Sequence, residues 1–349
     1  SIDETLNLVE ETCYQPLTKG EKMRKLTYKQ ALNEALFQAM EKDSSVFVMG
    51  EDVGIYGGGF GVLDGLSAHF GEERVINTPI SENGFCGMAI GCATMGMKPV
   101  VELMFADFLA LAFDTIVNTG AKLKDTYDQN ASKNVIFRGA VGCGTGASAQ
   151  HSQSVESWFM GVPGIKIVCP SNPYDAKGLL LSSLHDNNII IFLEPKTLYN
   201  KIGYVPEEMY TVEIGKANLL RQGNDISIIT YGRMVDFALE SYDILKNENI
   251  TCDVLDLTSL KPLDNKSILE TAKKTGRVIV LSDAPKTGSA SAEISSIISE
   301  SDVFYNLKAP IKRLCAKDTP VPCSIELERN SIPSVAAILQ CVHELLHNK

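Results

Sequence analysis

Four short runs in the first two hundred residues are apolar almost without interruption: "SVFVMG" (45–50), "VIFRGAV" (135–141), "GIKIVC" (164–169) and "IIIFLEP" (189–195). A strand with one wet face alternates polar and apolar residues. A run that stays apolar position after position must be covered on both faces. Between these runs lie stretches with helical spacing, such as "LTYKQALNEALFQAMEKD" (26–43) and the Pro-started "PYDAKGLLLSSLHD" (173–186). Strand and helix in alternation, with doubly buried strands, predict an α/β fold built on a parallel sheet.

A second alternation follows: "DISIITYG" (225–232), "MVDFALESYDILKN" (234–247), "TCDVLDL" (251–257), "GRVIVLSD" (276–283) and the amphipathic helix "SVAAILQCVHELLH" (334–347). Between the two, "NKIGYVPEEMYTVEIG" (200–215) reads as polar loop and breaks the pattern. At 349 residues the chain exceeds what one core usually serves. Two domains are expected, spanning 26–205 and 215–349, after a charged, helix-prone extension over 1–25. No internal repeat or low-complexity segment interrupts them.

The formal net charge of −11 argues against nucleic acid or an anionic membrane as partner. The nine cysteines are odd in number, form no C-x-x-C and sit in apolar runs, which reads as a reducing compartment. No stretch has the length and apolarity to span a bilayer. The acidic start "SIDETLNLVEETCYQ" does not resemble a targeting peptide. A cytoplasmic protein is expected, or a mitochondrial-matrix one whose leader has been removed.

Three features invite a chemical reading. "GCGTGA" (142–147) follows a strand and fits G-x-G-x-x-A, the fingerprint of a dinucleotide-dependent oxidoreductase. It comes late in the domain, no apolar helix follows directly, and Asp175 lies at a helix start rather than after a second strand. His343 and His347 stand four apart on the last helix, a potential metal pair with no third ligand nearby; His151 in "AQHSQS" is suited to proton transfer near neutral pH. The third is Glu82 in "NTPISENGFCGMAIGCATMGMKP" (77–99), the last charge before a long uncharged run. A carboxylate at a helix start is favoured by the helix dipole without any function. Here Gly84, Gly87, Gly91 and Gly96, with Ala89 and Ala93, strip the helix of bulk, and interior glycine is costly. Close approach by another helix would compensate. It would also desolvate Glu82 and raise its pKa, as a proton-exchanging carboxyl requires.

Taken with "GEDVGIYGG", "RVINTPISENGF", "PVVELMFADF", "AQHSQS", "PSNPYDAKGLL" and "DTPVP", the chain from about Leu26 to His347 resembles a known family. It is similar to the beta subunits of the thiamine-diphosphate-dependent component of 2-oxo acid and acetoin dehydrogenase complexes. The resemblance implies two three-layer α/β/α domains, one a transketolase-like pyrimidine-binding domain, the other of transketolase C-terminal type. It implies that Glu82 hydrogen-bonds N1′ of the aminopyrimidine, favouring the imino tautomer that deprotonates C2. It further implies that Met104 and Phe108 pack on that ring and that His151 acts in acyl transfer to a lipoyl group. A potassium ion is implied at Val135, Ser183, Leu184, Asp186 and Asn188. The family's G-D-G motif for magnesium and diphosphate is missing from this sequence, which implies an alpha subunit holding that half of the cofactor in an α2β2 heterotetramer. The other implied partner is the lipoyl-bearing acyltransferase. Ser282 stands where relatives carry Glu, and "DTYDQNASKN" (125–134) replaces a Gly-Gly turn. A non-catalytic scaffold paralogue remains the rival reading, against which Glu82, Phe108 and His151 speak together.

Overall fold

The computed structural model describes residues 22–127 and 131–347, so most of the N-terminal extension and the middle of 125–134 lie outside the described residues. The chain divides into two units, one comprising 1–141 and 159–214, the other 142–158 and 215–349. The stretch that carries His151 therefore groups with the second unit, although it lies within 26–205.

In the first unit the strands are Met23–Thr27 (β1), Val46–Gly50 (β2), Val75–Asn77 (β3), Lys98–Phe105 (β4), Val135–Val141 (β5), Ile165–Val168 (β6), Ile189–Pro195 (β7) and Ile202–Pro206 (β8). β6-β7-β5-β4-β2-β3 form one parallel sheet in that order. Apart from the short edge strand β3, its strands are largely buried on both sides, as the uninterrupted apolar runs predict. Val100, Ile136, Ile190 and Phe192 join a core with the helices Tyr28–Lys42 and Pro173–Ser183. Their strand neighbours Val101, Phe137 and Ile191 point the other way and are equally inaccessible.

β8 departs from the expected loop over 200–215: it pairs antiparallel with β1 in a separate two-stranded sheet. Neither strand is apolar throughout, because this small sheet is only half-buried.

The second unit has strands Asn218–Arg221 (β9), Ile226–Thr230 (β10), Cys252–Asp256 (β11), Ser259–Lys261 (β12), Val278–Pro285 (β13) and Lys312–Ala316 (β14). β14-β13-β10-β11 run parallel, and β9 closes the β11 edge antiparallel. The helix Asn265–Thr275 starts on an Asp264 cap whose side chain accepts from Ser267 N–H, and ends on left-handed Gly276. Among the described residues, the cysteines are free thiols and no helix is long and apolar enough to cross a membrane.

Candidate active site

In a parallel α/β sheet, ligand-binding groups gather past the carboxyl ends of the strands. In the first unit, Glu51 follows β2, Glu82 follows β3, and Met104 lies at the end of β4, with Phe108 one turn beyond. The order β4-β2-β3 makes these strands neighbours, so the three ends share one edge.

Glu82 opens the helix Glu82–Thr94 and is only 7% exposed. Ser81, the preceding residue, makes no side-chain capping bond, so the carboxylate is not half of an ordinary cap. Glu51 lies close enough for its charge and that of Glu82 to interact. Burial first, and then Glu82 and Asp52, raise the Glu51 carboxyl above its ordinary range, and its buried Oε1 has no hydrogen-bond partner. Burial and the same two glutamates hold the Cys86 thiol firmly protonated. An under-satisfied, dry acidic corner of this kind suits a weakly basic nitrogen heterocycle.

The small-residue helix is only partly covered. Gly87 meets the Thr115 methyl of the following π-turn, where a Cβ would lie 3.5 Å away, and Thr115 hydrogen-bonds Asn83. Gly84, Met88, Gly91 and Met95 are exposed on one face, and a Cβ at Gly91 would meet nothing. The close approach that the glycines predict is thus made within this chain on one side only.

Met104 and Phe108 are half-buried rather than core. Phe108 stands edge-on to Phe105, which meets Phe60 in the same manner. The glycine loop "YGGGFG" lies over Met104, where a Cβ on Gly59 would come within 2.5 Å of its Cγ. What holds that loop is a group the sequence reading did not single out. Glu102 accepts from Gly59 N–H at 3.1 Å and contacts Arg138, which grips both oxygens of Glu194 at 2.7 and 2.6 Å. Tyr199 donates to Glu194 at 2.8 Å. Gly58 has φ +81 and no room for a Cβ, which would fall 2.1 Å from Glu102 Oε1. Each member is a lone charge inside an apolar strand, "VVELMF", "VIFRGAV" and "IIIFLEP". That is the signal that could have found them.

The implied potassium residues sit at the opposite end of the same sheet. The start of β5, the end of the helix Pro173–Ser183 and the start of β7 meet there, with Asn134 donating to Leu184 O at 2.9 Å. The donors are all oxygens, which suits a hard cation. Asp186 already pairs with the Lys166 ammonium at 2.5 Å and accepts from Asn188 at 2.6 Å, and Ser183 Oγ bonds Leu179 O. The Asp186 carboxylate is thus already engaged by two partners.

In the second unit, His151 ends a short 3₁₀ turn and is half-buried. Ser148, which accepts from its backbone N–H, has φ +69, an uncommon conformation for a non-glycine residue. The amides of "GCGTGA" are not free for a pyrophosphate: Gly144 and Gly146 N–H both donate to Glu328. The dinucleotide reading fails on that occupancy. His343 is engaged by Glu248 at 3.2 Å, and no group of three potential metal ligands occurs among the described residues.

Glu156, five residues after His151, is 2% exposed and accepts from Tyr231 O–H at 2.5 Å, while Tyr231 also meets Ser282 at 2.7 Å. Burial pushes Glu156 up to about 7, Tyr231 pulling it down and Asp283 pushing it up. A carboxyl that holds its proton more tightly folded than unfolded loses stability as pH rises between the two values, from about 4.5 to about 7. At about 1.4 kcal/mol per unit the total is about 3 kcal/mol. Glu156→Gln should therefore gain on wild type as pH rises, with a Tm difference that grows from pH 5 to pH 8. An unchanged difference across that range would refute the shift.

Comparisons with known proteins find two domains in the chain. The transketolase pyrimidine-binding domain profile matches residues 24–201 and the transketolase C-terminal domain profile matches 215–338. The chain is 43% identical over 325 residues to the beta subunit of an acetoin:2,6-dichlorophenolindophenol oxidoreductase from Cupriavidus necator, covering 90% of this chain and 96% of that one. It is 44% identical over 299 residues to the 2-oxoisovalerate dehydrogenase subunit beta of Bacillus subtilis, with 85% and 91% covered. The pyruvate dehydrogenase E1 component subunit beta of Rickettsia felis is 39% identical, with 92% and 98% covered. The chain belongs to this family of dehydrogenase beta subunits. Among solved structures, a split-gene transketolase described as an inactive beta4 tetramer superposes with a TM-score of 0.74 at 21% identity, over 92% of this chain and 98% of that one, which shows the shared fold.

Proposed function

We propose that this chain is the beta subunit of a thiamine-diphosphate-dependent 2-oxo acid or acetoin dehydrogenase, active with an alpha subunit and passing its acyl product to a lipoyl group. One observation carries the reading. Glu82 is kept nearly dry at the carboxyl edge of the sheet, at the head of a helix whose small-residue face is open.

When bound, thiamine diphosphate supplies a carbon nucleophile that adds to carbonyls and delocalises the charge left by C–C cleavage. Glu82 would hold a shared proton at ring nitrogen N1′. Met104 and Phe108 would flank the aminopyrimidine, and the Glu102-held glycine loop would fix Met104 beneath it. His151 would hold or deliver a proton during transfer to the lipoyl sulfur, a role open to an imidazole. Magnesium and the diphosphate would fall to the alpha subunit. A potassium ion at Asp186 would share that carboxylate with Lys166, and no step depends on it.

The open face of Gly84, Met88, Gly91 and Met95, with exposed Ile55, Tyr56 and Ile80 at the preceding loops, is the surface an obligate partner would cover. The chain mixed with its alpha subunit should form an α2β2 heterotetramer that binds thiamine diphosphate with magnesium. That assembly should reduce a dye acceptor with acetoin, pyruvate or a branched 2-oxo acid, the assay choosing among the three. Calorimetry showing tight, magnesium-dependent binding to the isolated chain would overturn the shared-site reading.

A further inference from the structure

His151 lies on a loop whose base is closed by Gly142 N–H donating to Gln153 O at 3.0 Å. The glycine limb of that loop is pinned from outside. Glu328, 0% exposed, accepts from Gly144 N–H at 2.7 Å with one carboxylate oxygen and from Gly146 N–H at 2.9 Å with the other. Arg233 donates to the carbonyl of Cys143, the residue just before Gly144, at 2.5 Å. Glu328 itself is held by its place in the turn Ile325–Arg329: its N–H bonds Ser324 O at 2.8 Å, and its carbonyl takes Ser331 Oγ at 2.6 Å. Two backbone N–H groups converging on one carboxylate make a small anion-binding concavity, and here the anion is built in. Gly146 at φ +69 and the backbone oxygen of Cys323, 3.3 Å from where its Cβ would be, leave no easy alternative course for the chain.

From this we infer that Glu328 is a positioning residue for His151: by filling both glycine amides it fixes the loop on which the histidine stands. The inference rests on the acyl-transfer role assigned to His151 above. Both carboxylate oxygens are needed. A glutamine keeps one acceptor but turns its NH2 toward the second glycine N–H, so that two donors face each other. Misplacing a reacting group by about 1 Å costs up to roughly 10²-fold in rate.

The test uses the assembled enzyme with its alpha partner, comparing wild type, Glu328→Gln, Glu328→Asp and His151→Ala. Three quantities are measured: hydrogen exchange of the peptide covering 142–150, dye-linked turnover, and acyl transfer to a free lipoyl domain with kcat and KM separated. Expected for Glu328→Gln are faster exchange in that peptide and a fall of about 10- to 100-fold in the ratio of lipoyl transfer to dye-linked turnover, carried by kcat. Glu328→Asp, too short to reach both amides, should behave likewise if the glutamine variant assembles poorly. A lowered melting temperature with that ratio unchanged, while His151→Ala is slow, would overturn the inference and leave the histidine's role standing. A silent His151→Ala would overturn it differently, by removing the function that the loop positions, and the exchange data would then still report whether Glu328 holds the loop.

Discussion

Glu82→Gln in the assembled enzyme should slow hydrogen–deuterium exchange at cofactor C2 by roughly 10²- to 10⁴-fold, the usual contribution of a general acid–base group. Glutamine keeps the length, the shape and an atom that hydrogen-bonds ring nitrogen N1′. What it removes is the exchangeable carboxyl proton. Stability should hardly move, since no volume is lost and the cost is that of a carboxylate in the first turn of a helix, about 0.3–1 kcal/mol. If Glu82 served only that dipole, the same variant would show the small stability loss and no kinetic effect. The geometry favours the kinetic outcome: Ser81 makes no capping bond, the carboxylate is nearly inaccessible, and Glu51 crowds it with a second buried oxygen. A protein placing charge merely for helix polarity would leave it in water. An exchange rate equal to wild type would reduce Glu82 to a helix-start charge.

β2, β5, β6, β7, β10, β11 and β13 were legible because a largely buried strand has few polar positions to confuse with a loop, whereas β3, β9 and β14, which are only partly buried, were not named as strands, nor was the central β4. β8 was missed for the opposite reason: half-buried and paired only with β1, it has the composition of its flanking turns. The roles proposed for Glu82, Met104, Phe108 and His151 come from motifs that together resemble a family. Their local spacing fits a helix start, a core strand and a loop equally well. Glu328 could not be read at all. "IELER" looks like a solvated turn, and nothing in "GCGTGA" tells whether its amides await a phosphate or are filled by a carboxylate from 182 to 184 residues downstream. Sequence spacing records which donors exist, while the tertiary fold decides what they meet.

The largest stability effect should come from Arg138→Met. Arg138 lies in the middle of β5, its register partner on β4 is Glu102, and Glu194 on β7 faces Ala140 two residues on. All three side chains are shut off from solvent. Burial opposes the guanidinium charge, but Glu194 and Glu102 more than offset it and keep Arg138 ionised. Burial raises the Glu102 carboxyl while Arg138 draws it back down. Methionine would fill much of the volume but leave two carboxylates in a dry sheet with no counter-charge. Breaking a buried pair from one side typically costs about 3–5 kcal/mol, and here one substitution strips two acids. Without the arginine, the folded carboxyls bind protons more tightly than the unfolded ones, so the variant should recover stability as pH falls toward 5. Glu102 would also lose its orientation toward Gly59, loosening the loop over Met104. The measurements are urea unfolding of wild type and variant at pH 5 and pH 8, and cofactor affinity of whatever assembles. A loss below about 1 kcal/mol, or one independent of pH, would mean that water reaches the triad and that the sheet does not hold it dry.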